Sequence, residues 1–317
     1  MSVVMPTYHS EKHLAGAIAS ILAQTYKNLE LIIVSDEINE REHNPVVGYC
    51  CEDSRISHIE NKTRLGLVKS LNLGISVARG KYIARMDADD YSYPQRIEKQ
   101  VAYMEECPDV GILGTSVILV DRGKKRYLKA PEDTAGIIAM MMFYGCPIFH
   151  SSVIMRMDFI KDIPGPYKDN FRFAEDYDLW IRCIGKTKMA NLPDPLVEYQ
   201  RTQESIGIVH NKEQKEDIRK LMALSAKTAG FPERQLYELE EKYFIECKNF
   251  NNKYKILDAA SFKKYIGEGW YNYCLSQAYK GRTAWDTFWN SPLCEDANLS
   301  MLRKIKFAGV CILHLRL

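Results

Sequence analysis

A chain of 317 residues is long enough for one large domain or two smaller ones. Its hydrophobic content of 46% supplies enough apolar surface for a sizeable core, which excludes an intrinsically disordered protein. The formal net charge of +2 argues against a nucleic-acid-binding protein, because such proteins present a strongly basic face.

The amino-terminal part alternates short apolar runs with helical patterns, which is typical of an α/β protein. Residues 2–5 form a short apolar run, and residues 29–34 form a near-continuous one, as expected for strands buried on both faces. Apolar residues recur at helical spacing over 14–25 and 67–78, and residues 82–86 predict a third buried strand. We therefore predict an α/β fold with a mostly parallel sheet flanked by helices.

The next segment predicts a helix, a hairpin and a second helix. Residues 92–95 (Ser-Tyr-Pro-Gln) have the form of a capping box and open a helix that runs through Met104. Residues 110–120 and 127–128, joined by a turn over 121–124, predict a β-hairpin. A methionine-rich helix over 137–142 and a strand over 151–155 follow.

Beyond about Ser205 the chain reads as almost wholly helical. We set a domain boundary there, with residues 1–207 as the first domain and residues 208–317 as a helical carboxy-terminal region. No low-complexity linker or internal repeat separates the two.

The last residues predict a basic amphipathic helix. Basic side chains accompany five apolar residues at helical spacing, namely Met301, Ile305, Ala308, Ile312 and Leu315. Such a helix can lie on a membrane surface and favour anionic lipids. The alternative is a terminal helix that packs on the protein core.

Three features predict a cytoplasmic location. No run of the sequence reaches the length of a membrane span, and the first residues lack the features of a signal peptide. The nine cysteines show no metal-binding spacing and indicate free thiols in a reducing compartment. The carboxy-terminal tail is the candidate for peripheral contact with the inner face of the membrane.

Three carboxylates, of Asp87, Asp89 and Asp90, directly follow the third predicted strand. In open α/β sheets ligands bind beyond the carboxyl ends of the strands, so these side chains are well placed. Carboxylates packed together repel one another unless a cation neutralises them, and oxygen ligands favour Mg²⁺ or Mn²⁺. The alternative is a solvated acidic turn that caps the next helix.

Three further acidic residues and one histidine are candidate site residues. Asp36 ends the second predicted strand, where it either binds a ligand or serves as an ordinary turn residue. Glu175 and Asp176 open a predicted helix, whose dipole stabilises acids and whose rigidity suits a general base. His150 is either a hydrogen-bonded structural residue or part of the site. The sequence has no GxGxxG or Walker motif, which argues against dehydrogenases and NTPases.

Together these features resemble the family-two glycosyltransferases, the inverting nucleotide-diphospho-sugar transferases of the GT-A fold. Four segments carry the resemblance in the family's order, and their joint occurrence is far more specific than any single motif. They are residues 3–8, 24–34, 72–90 and 175–180. The resemblance covers roughly the first two-thirds of the chain and identifies residues 1–207 as a nucleotide-sugar-binding catalytic domain.

The resemblance implies a donor site for a nucleotide-diphosphate sugar. Thr7 and the backbone around Tyr8 would lie along the nucleotide. Asp36 would accept a hydrogen bond from the base, which favours uracil or another base with a ring N–H. Asp87 would approach the ribose or the sugar, with Ala88 beside it at the donor.

The resemblance also implies a metal and a base. Asp89 would hold a divalent ion, Mn²⁺ or Mg²⁺, that bridges the diphosphate. Asp176 would be the general base, with Glu175 as the second choice. A single sugar would then pass to an acceptor hydroxyl with inversion. Members of this size without membrane spans mostly build bacterial surface polysaccharides, so the acceptor would be a saccharide or a lipid-linked saccharide.

The sequence departs from the family pattern at two places. Residues 35–38 (Ser-Asp-Glu-Ile) stand where Asp-Gly-Ser is usual. Near the end of the domain, Gln200 and Thr202 stand where an Arg-x-His motif would supply basic residues, so the donor phosphates would depend more on the metal. Arg201 is displaced by one position and would point to the other side of a strand.

Two alternatives use similar folds. A nucleotidyltransferase would carry a phosphate loop rich in glycine and basic residues after the first strand, where this chain has Pro-Thr-Tyr-His-Ser at 6–10. A non-catalytic sugar-binding protein would keep the fold without the chemistry. The complete acidic pairs at 87/89 and 175/176 argue against it.

Overall fold

The computed structural model describes residues 1–36, 45–171, 173–202, 205–231, 241–254, 257–276, 282–291, 293–294, 297 and 307. Contacts divide the chain into two units. The first comprises Met1–Glu132 and Ile148–Asp217, and the second comprises Asp133–Pro147 and Ile218–Leu317.

The first unit is built on a mixed sheet. Its described strands are β1 Ser2–Thr7, β2 Glu30–Ser35, β3 Ile56–Glu60, β4 Tyr82–Arg85, β5 Tyr91–Ser92, β6 Val110–Asp121, β7 Lys124–Leu128, β8 Ile154–Arg156 and β9 Lys188–Arg201. Their spatial order is β3-β2-β1-β4-β8-β6-β9-β5, and β7 pairs with β6.

The described helices accompany this sheet or follow it along the chain. Their bounds are α1 Glu11–Leu22, α2 Pro45–Glu52, α3 Leu67–Val77, α4 Arg96–Glu106, α5 Thr134–Phe143, α6 Met157–Lys161, α7 Glu175–Cys183, α8 Ile206–Val209, α9 Asn211–Thr228, α10 Glu241–Tyr254, α11 Ala259–Ser276 and α12 Arg282–Trp289. None of these described helices is both long enough and apolar enough to cross a membrane.

The four strands β3, β2, β1 and β4 pair in parallel. The sequence predicted β1, β2 and β4 of this set, whereas it did not predict β3. Alternate residues of β1 face opposite sides, because side chains of a strand alternate. Val3 and Met5 join a core cluster with Leu14 of α1. Val4 faces α3, which comes so close that a Cβ on Gly74 would meet the Val4 side chain at 2.4 Å. Burial on both faces explains the continuous apolar runs of β1, β2 and β4, whereas β3 is only partly buried and has no such run.

Antiparallel pairings enter beyond β4, where β8 pairs with β4 and β6, and β5 pairs with β9. The predicted hairpin is confirmed as β6 and β7, with Asp121 paired to Lys124. Its two-residue loop has φ 49° at Arg122 and φ 76° at Gly123. Two successive positive φ values match the twist of a two-residue hairpin turn, and glycine tolerates the second of them.

The predicted capping box at residues 92–95 is wrong. Ser92 lies in β5, and its backbone N–H donates to Ser20 Oγ at 3.1 Å. Helix α4 begins at Arg96 without a side-chain cap from its own amino-terminal residues. Instead the Gln24 side-chain oxygen accepts from the Ile97 N–H at 3.0 Å. The cap therefore comes from a residue 73 positions away in the chain, which a local motif does not reveal.

The second unit is helical, and the predicted methionine-rich helix is confirmed as α5. Contacts between aromatic rings, one stacked and one edge-to-face, connect its helices. Phe143 of α5 lies 5.0 Å from Phe244 of α10, and Phe244 lies 5.5 Å from Trp270 of α11. The chain passes from the first unit to the second between Asp217 and Ile218, within α9. A domain boundary at 207/208 stays a prediction. The apolar residues of the predicted tail helix lie outside the described residues, and its membrane contact stays a prediction.

Gly80 makes a testable contribution to the first unit. A Cβ at this position would meet the backbone nitrogen of Ser2 at 2.6 Å and the Met1 carbonyl carbon at 2.7 Å. We expect Gly80→Ala to lower the free energy of unfolding by roughly 1–3 kcal/mol, because backbone must shift to admit the methyl group. Urea denaturation measures it. The control is Gly16→Ala in α1, where nothing lies within 4 Å and stability should hold or rise. Equal stability of the two variants would contradict this packing argument.

Candidate active site

Three strand ends meet at one edge of the sheet. Strand β1 lies between β2 and β4, and Thr7, Ser35 and Arg85 are the last residues of these strands. The Asp36 N–H donates to the Thr7 carbonyl at 2.9 Å, which joins the ends of β1 and β2 directly. Asp87 follows β4 on the other side of β1. The parallel pairing thus gathers the predicted donor-binding segments at the carboxyl edge.

The carboxylates of Asp87, Asp89 and Asp90 form one cluster. One oxygen from each lies within 4.8 Å of the others, and the three are the group of possible metal ligands found among the described residues. Asp87 and Asp89 are half-buried, and Asp90 is buried. The sequence prediction assigned the metal to Asp89 alone, whereas the structure brings Asp90 to the same place.

Burial and mutual repulsion oppose full ionisation of this cluster. Burial, followed by the charge of Asp87, raises the pKa of Asp89 to about 6 and that of Asp90 well above its usual range. Asp90 Oδ1 accepts from the Gln200 N–H at 2.7 Å, while its Oδ2 is buried without a hydrogen-bond partner in the described part of the chain. An unsatisfied buried oxygen among three carboxylates fits a hard divalent cation, which takes oxygen ligands.

Arg85 and Ser151 hold Asp87 in place. The buried Arg85 guanidinium donates to Asp87 Oδ2 and to Ser151 Oγ, the latter at 2.9 Å. Ser151 in turn donates to Asp87 Oδ2 at 2.7 Å. Arg96, wholly buried beneath them, donates to the Arg85 carbonyl at 2.9 Å. The sequence reasoning missed Arg85 and Ser151, although Arg85 stands two residues before the acidic motif.

Thr7 and Tyr8 lie at the end of β1. Thr7 is buried, and the Tyr8 ring is 42% exposed. The Arg64 guanidinium sits 4.2 Å from the Tyr8 ring centroid, a cation–π contact that the sequence did not reveal. The pair presents an aromatic face and a positive charge beside the strand ends, which suits a flat, anionic ligand.

Asp36 has a structural role that is more specific than the ordinary turn residue that the sequence left as an alternative. Its carboxylate accepts from Asn61 Nδ2 at 2.9 Å, from the Leu65 N–H at 2.7 Å and from the Gly66 N–H at 2.7 Å. These bonds fold the segment before α3 onto the end of β2. A carboxylate has about four acceptor positions, so contact with a base stays a prediction. Residues 37–44, which include the second half of the first departure from the family pattern at 35–38, lie outside the described residues.

We expect Asp36→Asn to lower the free energy of unfolding by about 1–3 kcal/mol, because the amide turns a donor toward backbone N–H groups. Urea denaturation of the purified protein measures it. The control is Asp194→Asn, which removes a half-exposed ion pair with Lys99 and should change stability by less than about 1 kcal/mol. Unchanged stability of Asp36→Asn would contradict the structural role of this carboxylate.

The acids of α7 occupy different environments. Glu175 is buried, and burial followed by the charge of Asp176 raises its pKa to about 8. Asp178 is also buried and accepts from Arg182 Nε at 2.8 Å, which makes it a structural residue. Asp176 is half-buried, and its Oδ1 accepts from the Tyr177 N–H at 2.7 Å. Of the three, Asp176 is the most open to a substrate.

His150 is buried next to these acids. Its Nε2 lies 2.8 Å from the Tyr167 hydroxyl, and its Nδ1 lies 3.8 Å from Glu175 Oε1. Burial lowers the pKa of His150 well below its usual value, so the ring is neutral. The residue begins a short 3-10 helix, His150–Ser152, that precedes β8, where the sequence predicted a strand over 151–155.

The end of β9 contributes a backbone group to the carboxylate cluster. The Gln200 N–H donates to Asp90 Oδ1, and the Arg201 side chain pairs with Asp121 of the neighbouring strand at 3.8 Å. The direction of Arg201 relative to the carboxylate cluster stays a prediction.

Comparison with known proteins assigns the chain to a family. A family model described as glycosyl transferase family 2 matches residues 2–163. An uncharacterized glycosyltransferase of Haemophilus influenzae is 31% identical over 231 residues, which are 70% of this chain and 71% of that protein. The amylovoran biosynthesis glycosyltransferase AmsE of Erwinia amylovora is 30% identical over 210 residues, which are 65% of this chain and 78% of that protein.

A solved structure shows the same fold. TarS 1-349 of S. aureus in complex with UDP superposes with a TM-score of 0.56 at 16% identity, over 99% of this chain and 90% of that chain. The same protein in complex with UDP-GlcNAc gives a TM-score of 0.54 at 19% identity, over 85% of this chain and 80% of that chain. The GT-A fold expected from the sequence is thereby confirmed. With the family match and the relatives above, the chain belongs to glycosyl transferase family 2 and is a glycosyltransferase.

Proposed function

We propose that this enzyme transfers one sugar from a UDP-sugar to an acceptor hydroxyl, with inversion and with the help of a divalent ion. The observation that carries the proposal is the carboxylate cluster of Asp87, Asp89 and Asp90, with its unpartnered buried oxygen at the carboxyl edge of the sheet. The UDP complex of a protein with the same fold supports a uridine nucleotide as the donor.

The donor would lie along the strand ends. Thr7 and Tyr8 follow the nucleotide, Asp36 meets the base and Ala88 lies at the sugar. The Arg64–Tyr8 pair adds an aromatic surface and a positive charge there. A divalent ion held by Asp89, with Asp87 and Asp90, would neutralise the charge on the leaving diphosphate. Arg85 and Ser151 keep the Asp87 carboxylate fixed for this contact.

Asp176 acts as the general base. Its carboxylate takes the proton of the acceptor hydroxyl while that oxygen attacks the anomeric carbon from the face opposite the leaving group. The new bond to the acceptor forms as the bond to the phosphate oxygen breaks, and UDP leaves. One base and a single displacement give inversion. The buried Glu175 is the less suitable base, because its raised pKa keeps the carboxyl largely protonated at neutral pH.

The acceptor is proposed to be a saccharide or a lipid-linked saccharide of a bacterial surface polysaccharide. The support is the relative named for amylovoran biosynthesis. A thermal-shift screen of UDP, GDP and dTDP, each with and without Mn²⁺, tests the donor class. We expect UDP with Mn²⁺ to raise the melting temperature most. A shift of equal size without Mn²⁺, or a larger shift with GDP, would overturn the proposed donor site.

A further inference from the structure

A buried tyrosine outside the acidic clusters fixes the segment that precedes α7. Tyr167 is 2% exposed and lies eight residues before the helix. The side-chain amide of Asn72, on α3, makes two hydrogen bonds to the backbone of Tyr167. Asn72 Nδ2 donates to the Tyr167 carbonyl at 2.9 Å, and the Tyr167 N–H donates to Asn72 Oδ1 at 3.1 Å. Two bonds to one planar amide allow a single orientation of this backbone.

Helix α7 holds the same segment from the other side. The Arg182 guanidinium donates to the Pro166 carbonyl, and its Nε donates to Asp178 Oδ2 at 2.8 Å. The Tyr167 backbone is therefore fixed relative to both α3 and α7, and this fixes the position from which its side chain extends toward His150.

The Tyr167 hydroxyl reaches His150. The two groups are 2.8 Å apart, and the two rings have centroids 5.3 Å apart. Burial raises the pKa of the Tyr167 phenol above its usual value, so the phenol keeps its proton. Within the described residues His150 is the hydrogen-bond partner of this hydroxyl. A buried O–H without an acceptor is costly, so the phenol donates to an unprotonated Nε2. In a neutral imidazole the ring proton then resides on Nδ1.

The protonated Nδ1 faces Glu175. The two atoms are 3.8 Å apart, which is longer than a hydrogen bond. Hydrogen bonds between catalytic groups are often long in ligand-free structures and shorten in the substrate complex. Glu175 is the first residue of α7 and precedes Asp176 directly, so a contact at Glu175 constrains the turn that carries the base.

We propose that Tyr167 is a positioning residue that sets the orientation and tautomer of His150, which in turn holds Glu175 and the first turn of α7. The proposal rests on the proposed function in one respect, namely that Asp176 is the base whose placement benefits. No proton is transferred along this chain of contacts.

Long-range ¹H–¹⁵N NMR spectra of the His150 ring test the tautomer directly, with resonances assigned through a His150→Gln variant. We expect the wild type to carry its ring proton on Nδ1. Tyr167→Phe should abolish this preference. The matched control is Tyr82→Phe, which removes another buried phenol, one that donates to Glu105 at 2.8 Å, and should leave the His150 spectrum unchanged. A ring proton on Nε2 in the wild type would overturn the proposal, whether or not the Tyr167→Phe variant folds.

The second readout is UDP release from UDP-GlcNAc with Mn²⁺. Tyr167→Phe should lower kcat by roughly 10- to 100-fold, the range known for loss of outer-shell groups that orient the ligands of a metal site, with KM for the donor unchanged. Wild-type kcat in Tyr167→Phe, or an equal loss in Tyr82→Phe, would overturn the positioning role. The NMR measurement needs no substrate. A wild type that releases no UDP would therefore count against the proposed function, while the tautomer still decides the role of Tyr167.

Discussion

Asp176→Asn is expected to lower the rate of sugar transfer by a factor of roughly 10² to 10⁴, the usual range for loss of a general base. The amide keeps the size of the side chain and can accept from the Tyr177 N–H as the carboxylate does, so the helix start should persist. It cannot take the acceptor proton. Donor affinity should stay unchanged, because the proposed donor site lies at the strand ends and does not include Asp176. UDP release gives the rate, and calorimetry of UDP with Mn²⁺ gives the affinity.

Two neighbouring acids make the result specific. Asp178→Asn weakens the hydrogen bond to Arg182 and should therefore lower the free energy of unfolding. The rate of sugar transfer per folded molecule should change little. Glu175→Gln should be less damaging to turnover than Asp176→Asn. If Glu175→Gln proves the more damaging change, the two roles are exchanged and the assignment of Asp176 is wrong.

Asp89→Ala is expected to abolish the Mn²⁺-dependent binding of UDP while the protein stays folded. Burial and the charge of Asp87 already raise the pKa of Asp89 to about 6, so the ionised carboxylate destabilises the metal-free protein. Removing it should leave the metal-free melting temperature unchanged or raise it. Loss of ligand binding together with retained stability would show that Asp89 serves metal binding and not the stability of the fold. Calorimetry and thermal denaturation measure the two quantities.

The control for this prediction is Asp121→Ala. Asp121 is a more exposed carboxylate at the hairpin, 3.8 Å from Arg201, and does not belong to the cluster. Its removal should leave UDP affinity with Mn²⁺ intact. An unaltered affinity in Asp89→Ala would refute the metal assignment.

Local chemistry explains which parts of the fold were predictable. Strands β1, β2 and β4 are buried on both faces, so their sequences are apolar runs that need no partner to be recognised. The β6–β7 hairpin was predictable because its turn contains glycine at a position with φ 76°. The start of α4 was not, since Gln24 supplies its cap from a distant helix end.

The same distinction holds for the candidate site. The acidic residues could be found because each follows a strand or opens a helix. Their surroundings depend on contacts between distant segments, such as Ser151 on Asp87 and Asn72 on Tyr167. The burial of Glu175 and the three donors on Asp36 also arise only when the chain is folded. Residue type and position therefore predicted the candidate site residues, while the hydrogen-bond partners and the burial of these residues required the structure.

The stereochemistry of donor cleavage distinguishes a single displacement from a double one. UDP-glucose, UDP-galactose and UDP-GlcNAc carry their sugars in the α configuration, and water can replace the acceptor. ¹H NMR, recorded during incubation with enzyme and Mn²⁺, follows the anomeric proton of the released sugar before it equilibrates. We expect that the β anomer appears first, that release needs Mn²⁺ and that Asp176→Asn suppresses it. First appearance of the α anomer would contradict a single displacement assisted by one base.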